Sequence, residues 1–199
     1  MADTIKQLKI FFGSPSGLDK FRVKVREEVD TFNETESESR GVRFKIIGWE
    51  DIPTGIGNLQ KQIDPYLCNC DYYMLLLHNK WGSPPDKSDL RFSSGSEKEF
   101  HLAYTCCTQE KYFMKDIIVF FRQIRTKDKI KGQTKKVKDF EAKLIEAQKL
   151  GYKKFKTYKE FIKKFRLYLS KWLRDNENND NILNDLKPPE SVLDFFSGE

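Results

Sequence analysis

Two carboxylates, Glu97 and Glu99, stand in the run Gly95-Ser96-Glu97-Lys98-Glu99-Phe100, which follows the apolar segment Tyr72-Tyr73-Met74-Leu75-Leu76-Leu77 and a polar loop. The pattern reads as a buried strand followed by a helix with acid in its first turn. A carboxylate is thereby delivered just beyond the C-terminal end of the strand, the edge at which open α/β sheets bind ligands. A lone carboxylate beside an aromatic side chain can cleave an N-glycosidic bond. It stabilises the oxocarbenium ion that develops on the sugar and accepts hydrogen bonds from sugar hydroxyls. Trp81 follows the strand and Trp49 stands after an earlier apolar segment; either indole can stack on a base. Glu97 and Glu99 lie about 200° apart around a helix, so they cannot serve one site equally. Glu99 is read as the working carboxylate and Glu97 as its alternate. A plain structural reading competes: acids favour a first helical turn through the helix dipole, and Glu99, three residues after Ser96, has capping-box spacing.

The elements that must hold these residues alternate. Leu8 to Phe12 reads as a strand ended by Gly13-Ser14-Pro15-Ser16-Gly17, with Ser16 or Gly17 opening a helix whose apolar positions are Leu18, Phe21, Val25, Val29 and Phe32. Asn33 to Arg40 reads as a surface loop and Val42 to Trp49 as the second strand. Asn58 to Leu67 is expected as a short helix broken near Pro65. Asp71 to Leu77 lacks polar alternation and so reads as a central strand covered on both faces. Helix Ser96–Thr108, strand Asp116–Phe121 and helix Val137–Leu150, the last stopped by Gly151, come next. Phe155 to Tyr158 is an edge strand or a loop, and Thr157 with Glu160 forms a capping box for the last helix. With right-handed crossovers this is an α/β fold, a flavodoxin-like or TIR-like parallel sheet with helices on both faces. Residues 1–175 are assigned to that domain and residues 176–199 to a polar linker or tail.

Composition bounds the rest. The 199 residues carry a net charge of +6 and 16 Phe, enough apolar material for a core. No run of about eighteen apolar residues offers a membrane span, and Met1-Ala2-Asp3-Thr4 lacks the pattern of a secretory leader; the expected location is cytoplasmic. Cys68 with Cys70, and Cys106 with Cys107, lack the spacing of a zinc knuckle or redox motif, so reduced thiols and no metal are expected. Phe12, Gly13, Ser14 and Ser16 are candidates to meet a phosphate through backbone N–H groups and a helix N-terminus, although no Gly-x-Gly-x-x-Gly fingerprint is present. The basic stretch around Lys153, Lys154, Lys156, Lys159, Lys163 and Lys164 is the rival signal. A nucleic-acid backbone would use such residues, but Phe161 and Phe165 have core spacing, and the lysines read as a solvated face.

Taken in order, Lys9-Ile10-Phe11-Phe12-Gly13-Ser14-Pro15-Ser16, Trp49-Glu50-Asp51, Asp71 through Trp81-Gly82, and Gly95-Ser96-Glu97-Lys98-Glu99-Phe100 resemble the bacterial TIR-like domains of unknown function. These are often found at the N-terminus of large nucleotide-binding signalling and defence proteins. The resemblance covers roughly the first 125 residues. It implies cleavage of the nicotinamide–ribose bond of NAD, with NAD as substrate rather than cofactor and ADP-ribose or a cyclic variant as product. It further implies activity on self-association as a homo-oligomer, further domains in a larger signalling protein, and a part in antiviral defence or cell-suicide signalling. The matching glutamate on the helix after the third strand is Glu99, and Ser96, Trp49 and Trp81 join the candidate NAD contacts. Gly95-Ser96-x-x-Glu99 is also similar to the pattern of nucleoside deoxyribosyltransferases, which attack an N-glycosidic bond with a glutamate. The late Phe-Trp pair of TIR domains is missing, and Trp172 fits a core position instead. Two other readings stay open: a non-catalytic TIR-like assembly module, and a nucleic-acid-binding α/β domain.

Overall fold

The computed structural model describes residues 5–53, 55, 59–85, 91–109, 112–124, 130–148 and 150–178. Five strands, β1 (Lys6–Gly13), β2 (Val42–Ile47), β3 (Tyr72–Leu77), β4 (Asp116–Arg122) and β5 (Gly151–Phe155), form one sheet of order β2-β1-β3-β4-β5. Every neighbouring pair is parallel. This is the flavodoxin-like strand order, whose topological switch point lies between β1 and β3. Helices α1 (Asp19–Phe32) and α5 (Tyr158–Asn178) cover one face. Helices α2 (Leu59–Cys68), α3 (Gly95–Thr108) and α4 (Gln133–Ala147) cover the other.

Each residue of β3 is buried, as an apolar strand without alternation requires when both faces are covered. On the α1/α5 side Trp172 stacks on Tyr72 with ring centres 4.2 Å apart and donates its indole N–H to Asp116. This late tryptophan is core, as its spacing predicts. Thr157 and Glu160 both cap the start of α5: Glu160 N–H donates to Thr157 Oγ1, and the Glu160 carboxylate accepts from Lys156 N–H, one residue before Thr157.

Several sequence expectations are corrected. Asn33 to Ser37 is no loop but a π-helical continuation of α1. Buried Asn33 there mimics a strand neighbour, accepting from Phe44 N–H and donating to Phe44 C=O, both at 2.8 Å. Pro65 lies inside α2 rather than ending it. The stop after α4 is Gln148, in the left-handed region at φ 51°, so Gly151 opens β5 instead of closing a helix. Helix α1 starts at Asp19, later than Ser16 or Gly17. Cys68 of α2 and Cys106 of α3 are joined in a disulfide, against the expectation of four reduced thiols, whereas Cys70 and Cys107 are free. Helix α5 reaches Asn178, past the boundary drawn at residue 175, and residues 179–199 lie outside the described residues. Among the described residues no helix is long and apolar enough to cross a membrane, and no group of acids, histidines and cysteines suits a metal.

Candidate active site

The register makes a notch at the switch point. Gly13, the last residue of β1, pairs with Leu75, while β3 continues to Leu77. Two connections cross there: the loop after β1, and the loop after β3 that leads into α3. They meet at glycines. A β-carbon built on Gly82 would stand 3.5 Å from Ser94 Cβ, 3.8 Å from Ser96 Oγ and 4.0 Å from Pro15 Cβ. Gly82 has φ +99°, a region open to glycine and strained for other residues.

The start of α3 decides which acid does what. Ser94, fully buried, is the N-cap, and its Oγ accepts from Glu97 N–H at 3.0 Å. The Glu97 carboxylate reaches back to Ser93, accepting from its N–H at 2.6 Å and its hydroxyl at 2.8 Å. The capping pair is therefore Ser94 with Glu97, not Ser96 with Glu99. Helix rotation then turns Glu99 toward the sheet. A β-carbon built on Gly13 would lie 2.6 Å from Tyr73 Oη and 3.0 Å from Glu99 Oε2. Glycine at position 13 thus leaves the space that a phenol and a carboxylate fill at the end of β1. Tyr73 is fully buried, and its ring lies 6.0 Å from that of Phe11.

The tryptophans separate. Trp81 is only 3% exposed; its indole N–H donates to Ser93 Oγ at 2.8 Å and its ring packs against Phe140. Gln133, the first residue of α4, clamps the same turn: its Oε1 accepts from the N–H groups of Trp81 and Gly82, and its Nε2 donates to Gly82 C=O. Trp81 therefore supports the loop from beneath and does not present a face for stacking. Trp81→Ala is expected to lower stability by about 3–5 kcal/mol, the usual cost of deleting a buried aromatic side chain, measured as a shift in denaturant unfolding. Trp49, by contrast, is 49% exposed after β2, at the same edge of the sheet.

Behind Trp49 lies a charged cluster that the sequence does not announce. Arg22 of α1 is buried, with its guanidinium 5.2 Å from the Phe12 ring centre and 5.9 Å from that of Trp49. It donates to Ser14 Oγ at 2.6 Å and to both oxygens of Glu50, at 3.2 and 2.5 Å. Arg26 donates to Glu50 and Asp51, and Asp51 accepts from Gly48 N–H. Gly48 is the glycine this pair requires, since a β-carbon there would lie 2.5 Å from Glu50 Oε2 and 2.7 Å from Arg22 Nη2. Partial burial alone would raise the Glu50 carboxyl, but hydrogen bonds from Arg22 and Arg26 override it and pull its pKa from 4.5 to about 2. A depressed folded-state pKa means stability that is complete above about pH 4.5 and lost as pH falls toward about 2. Glu50→Gln is expected to lower the unfolding midpoint at neutral pH and to flatten its decline across that acid window, as followed by denaturant titration at stepped pH.

Of the remaining predicted contacts, Phe12 is buried in the α1/α5-side core, Ser14 is held by Arg22, Ser16 is exposed, and Ser96 is buried under the Gly82 turn. The loop 50–57 is described only at residues 50–53 and 55. The basic helix is partly neutralised, with Lys164 paired to Glu160, Lys154 to Glu141, Arg166 to Glu28 and Lys171 to Asp116. Tyr73, Arg22 and Gln133 were not singled out from the sequence. Two tyrosines opening an otherwise aliphatic strand were the available signal for the first.

Residues 9–170 match the model of a protein family described as a domain of unknown function, DUF4062. The chain belongs to the DUF4062 family. Among solved structures the chain is similar to the Clostridium botulinum CMP N-glycosidase BcmB, with 16% identity over 80% of this chain and 99% of that one and a TM-score of 0.39. No curated protein matches the sequence.

Proposed function

We propose that this DUF4062 domain is a TIR-like N-glycosidase that cleaves the nicotinamide–ribose bond of NAD, with Glu99 as the working carboxylate. The observation that carries the reading is the division of labour at the start of α3. Glu97 serves the cap with Ser93 and Ser94, while Glu99 lies over Gly13 at the switch point of the sheet, where α/β folds take their ligands. Nicotinamide leaves NAD as a neutral molecule, so the reaction needs no general acid. It needs negative charge beside the ribose as positive charge develops there, and a carboxylate supplies it. His101 has its pKa lowered by burial to about 4 and so carries no charge at neutral pH. Trp49 is the exposed aromatic surface at this edge for a base to stack on.

Activity on self-association, and a role in antiviral defence or cell-suicide signalling, belong to the same proposal and rest on the TIR-like resemblance. The test is nicotinamide release from NAD by protein at low concentration and by protein crowded or artificially oligomerised. Release that rises on assembly is the expected result. Folded, assembled protein that releases none would return the domain to the role of assembly module.

A further inference from the structure

The Tyr73 hydroxyl is the unusual atom of this site. It is buried and, among the described residues, makes no hydrogen bond. A buried hydroxyl without a partner is rare because it gives up water and gains nothing in return. The phenol ring is fixed by the core: it lies 6.0 Å from Phe11 with the planes 19° apart, on a strand buried along its whole length. Its oxygen and Glu99 Oε2 both lie within 3.0 Å of one point, the β-carbon position that Gly13 leaves empty. Burial, followed by the Glu99 charge, holds the phenol well above its ordinary pKa of 10, so it remains a proton donor throughout the physiological range. A rigid donor thus stands beside a carboxylate on a side chain that can rotate, across a glycine that keeps the space between them open.

We propose that Tyr73 is the positioning residue of this site, donating a hydrogen bond from its phenol to the Glu99 carboxylate and so fixing which carboxylate oxygen faces the ligand. The tyrosine ring is fixed by the core, so the adjustment that closes the bond falls on the Glu99 side chain. The inference deepens the Glu99 reading and rests on it for its catalytic consequence only; the bond itself is independent of what the site binds.

The experiment is a double-mutant cycle read two ways. Unfolding is first measured without any ligand for wild type, Tyr73→Phe, Glu99→Leu and the double variant. Tyr73→Phe keeps the ring packing and removes only the oxygen. It is expected to lower the denaturant midpoint in the wild-type background and to leave it unchanged or raise it in Glu99→Leu, where the acceptor is gone. Equal effects in the two backgrounds would overturn the proposal. Nicotinamide release is then measured for Tyr73→Phe on assembled protein, with kcat expected to fall about tenfold or more and KM to stay put, since the bond orients the acid and does not hold substrate. An unchanged kcat would overturn the positioning role even if the cycle shows coupling. Coupling in the cycle with no release from wild-type protein would uphold the bond and sink the NAD reading, so the two failures are distinguishable.

Discussion

Nicotinamide release by the assembled domain is expected to drop about 100- to 1000-fold or more on Glu99→Ala, the range typical for removing a group that stabilises transition-state charge. Glu99→Gln should lose nearly as much. It keeps the shape of the side chain but replaces one carboxylate oxygen with an NH2 donor and removes the charge, and charge is what an oxocarbenium ion needs. Glu97→Ala makes the contrast. Its carboxylate holds Ser93, and its N–H is capped by Ser94, so the loss should appear mainly as stability, about 1 kcal/mol as for other caps. Turnover should suffer far less than in Glu99→Ala. Steady-state release alongside denaturant midpoints for the three variants gives both readouts. Release abolished by Glu97→Ala and retained in Glu99→Ala would exchange the roles. Release retained in both would remove catalysis from this helix.

Gly13→Ala carries the second large effect. The added methyl would meet Tyr73 Oη at 2.6 Å and Glu99 Oε2 at 3.0 Å, both inside ordinary contact distance. Glu99 can swing away. Tyr73 cannot, because its ring is buried against Phe11 within a fully buried strand. Overpacking of this kind costs about 1–3 kcal/mol, and the displaced Glu99 should lose its alignment with the ribose, so stability and turnover are expected to fall together. Adding Tyr73→Phe removes the clashing oxygen and leaves Tyr73 Cζ, at 3.2 Å, as the next atom in the way. The double variant should therefore recover part of the lost unfolding midpoint. Absence of any recovery would mean that the methyl collides with something other than the phenol.

Much of this fold was legible in the residues themselves. Tyr72 to Leu77 reads as central because it has no polar alternation, and the structure buries every one of its positions. Alternation of strands and helices gives the parallel α/β class, and the spacing of Phe161, Phe165, Leu169 and Trp172 gives the face that α5 packs. The site was legible to the level of one helical turn and no finer. Ser93, Ser94 and Ser96 can each begin a helix by propensity, and a shift of two residues in the N-cap changes which glutamate caps and which faces the sheet. Only packing settles that. Tyr73 over Gly13 depends on the register of β1 against β3, which pairs Phe11 with Tyr73 and which local sequence does not encode. Arg22 looks like an ordinary surface cation of an amphipathic helix. Its burial follows from Glu50, 28 residues away, folding back over it. At the end of α4 the visible glycine misleads: Gln148 takes the left-handed turn, and Gly151 is left to open an edge strand.

The sheet also has a polarity with practical use. Asn176, near the end of α5, donates to Tyr72 Oη and accepts from Lys115 Nζ, groups that stand at the start of β3 and just before β4. Glu99 and Gly13 lie toward the opposite ends of the strands. A fluorophore, a surface tether or an oligomerising module fixed to α5 beside Asn176 therefore sits at the end of the strands remote from the carboxylate. The domain can be crowded or clustered through that attachment without the handle standing in the mouth of the notch.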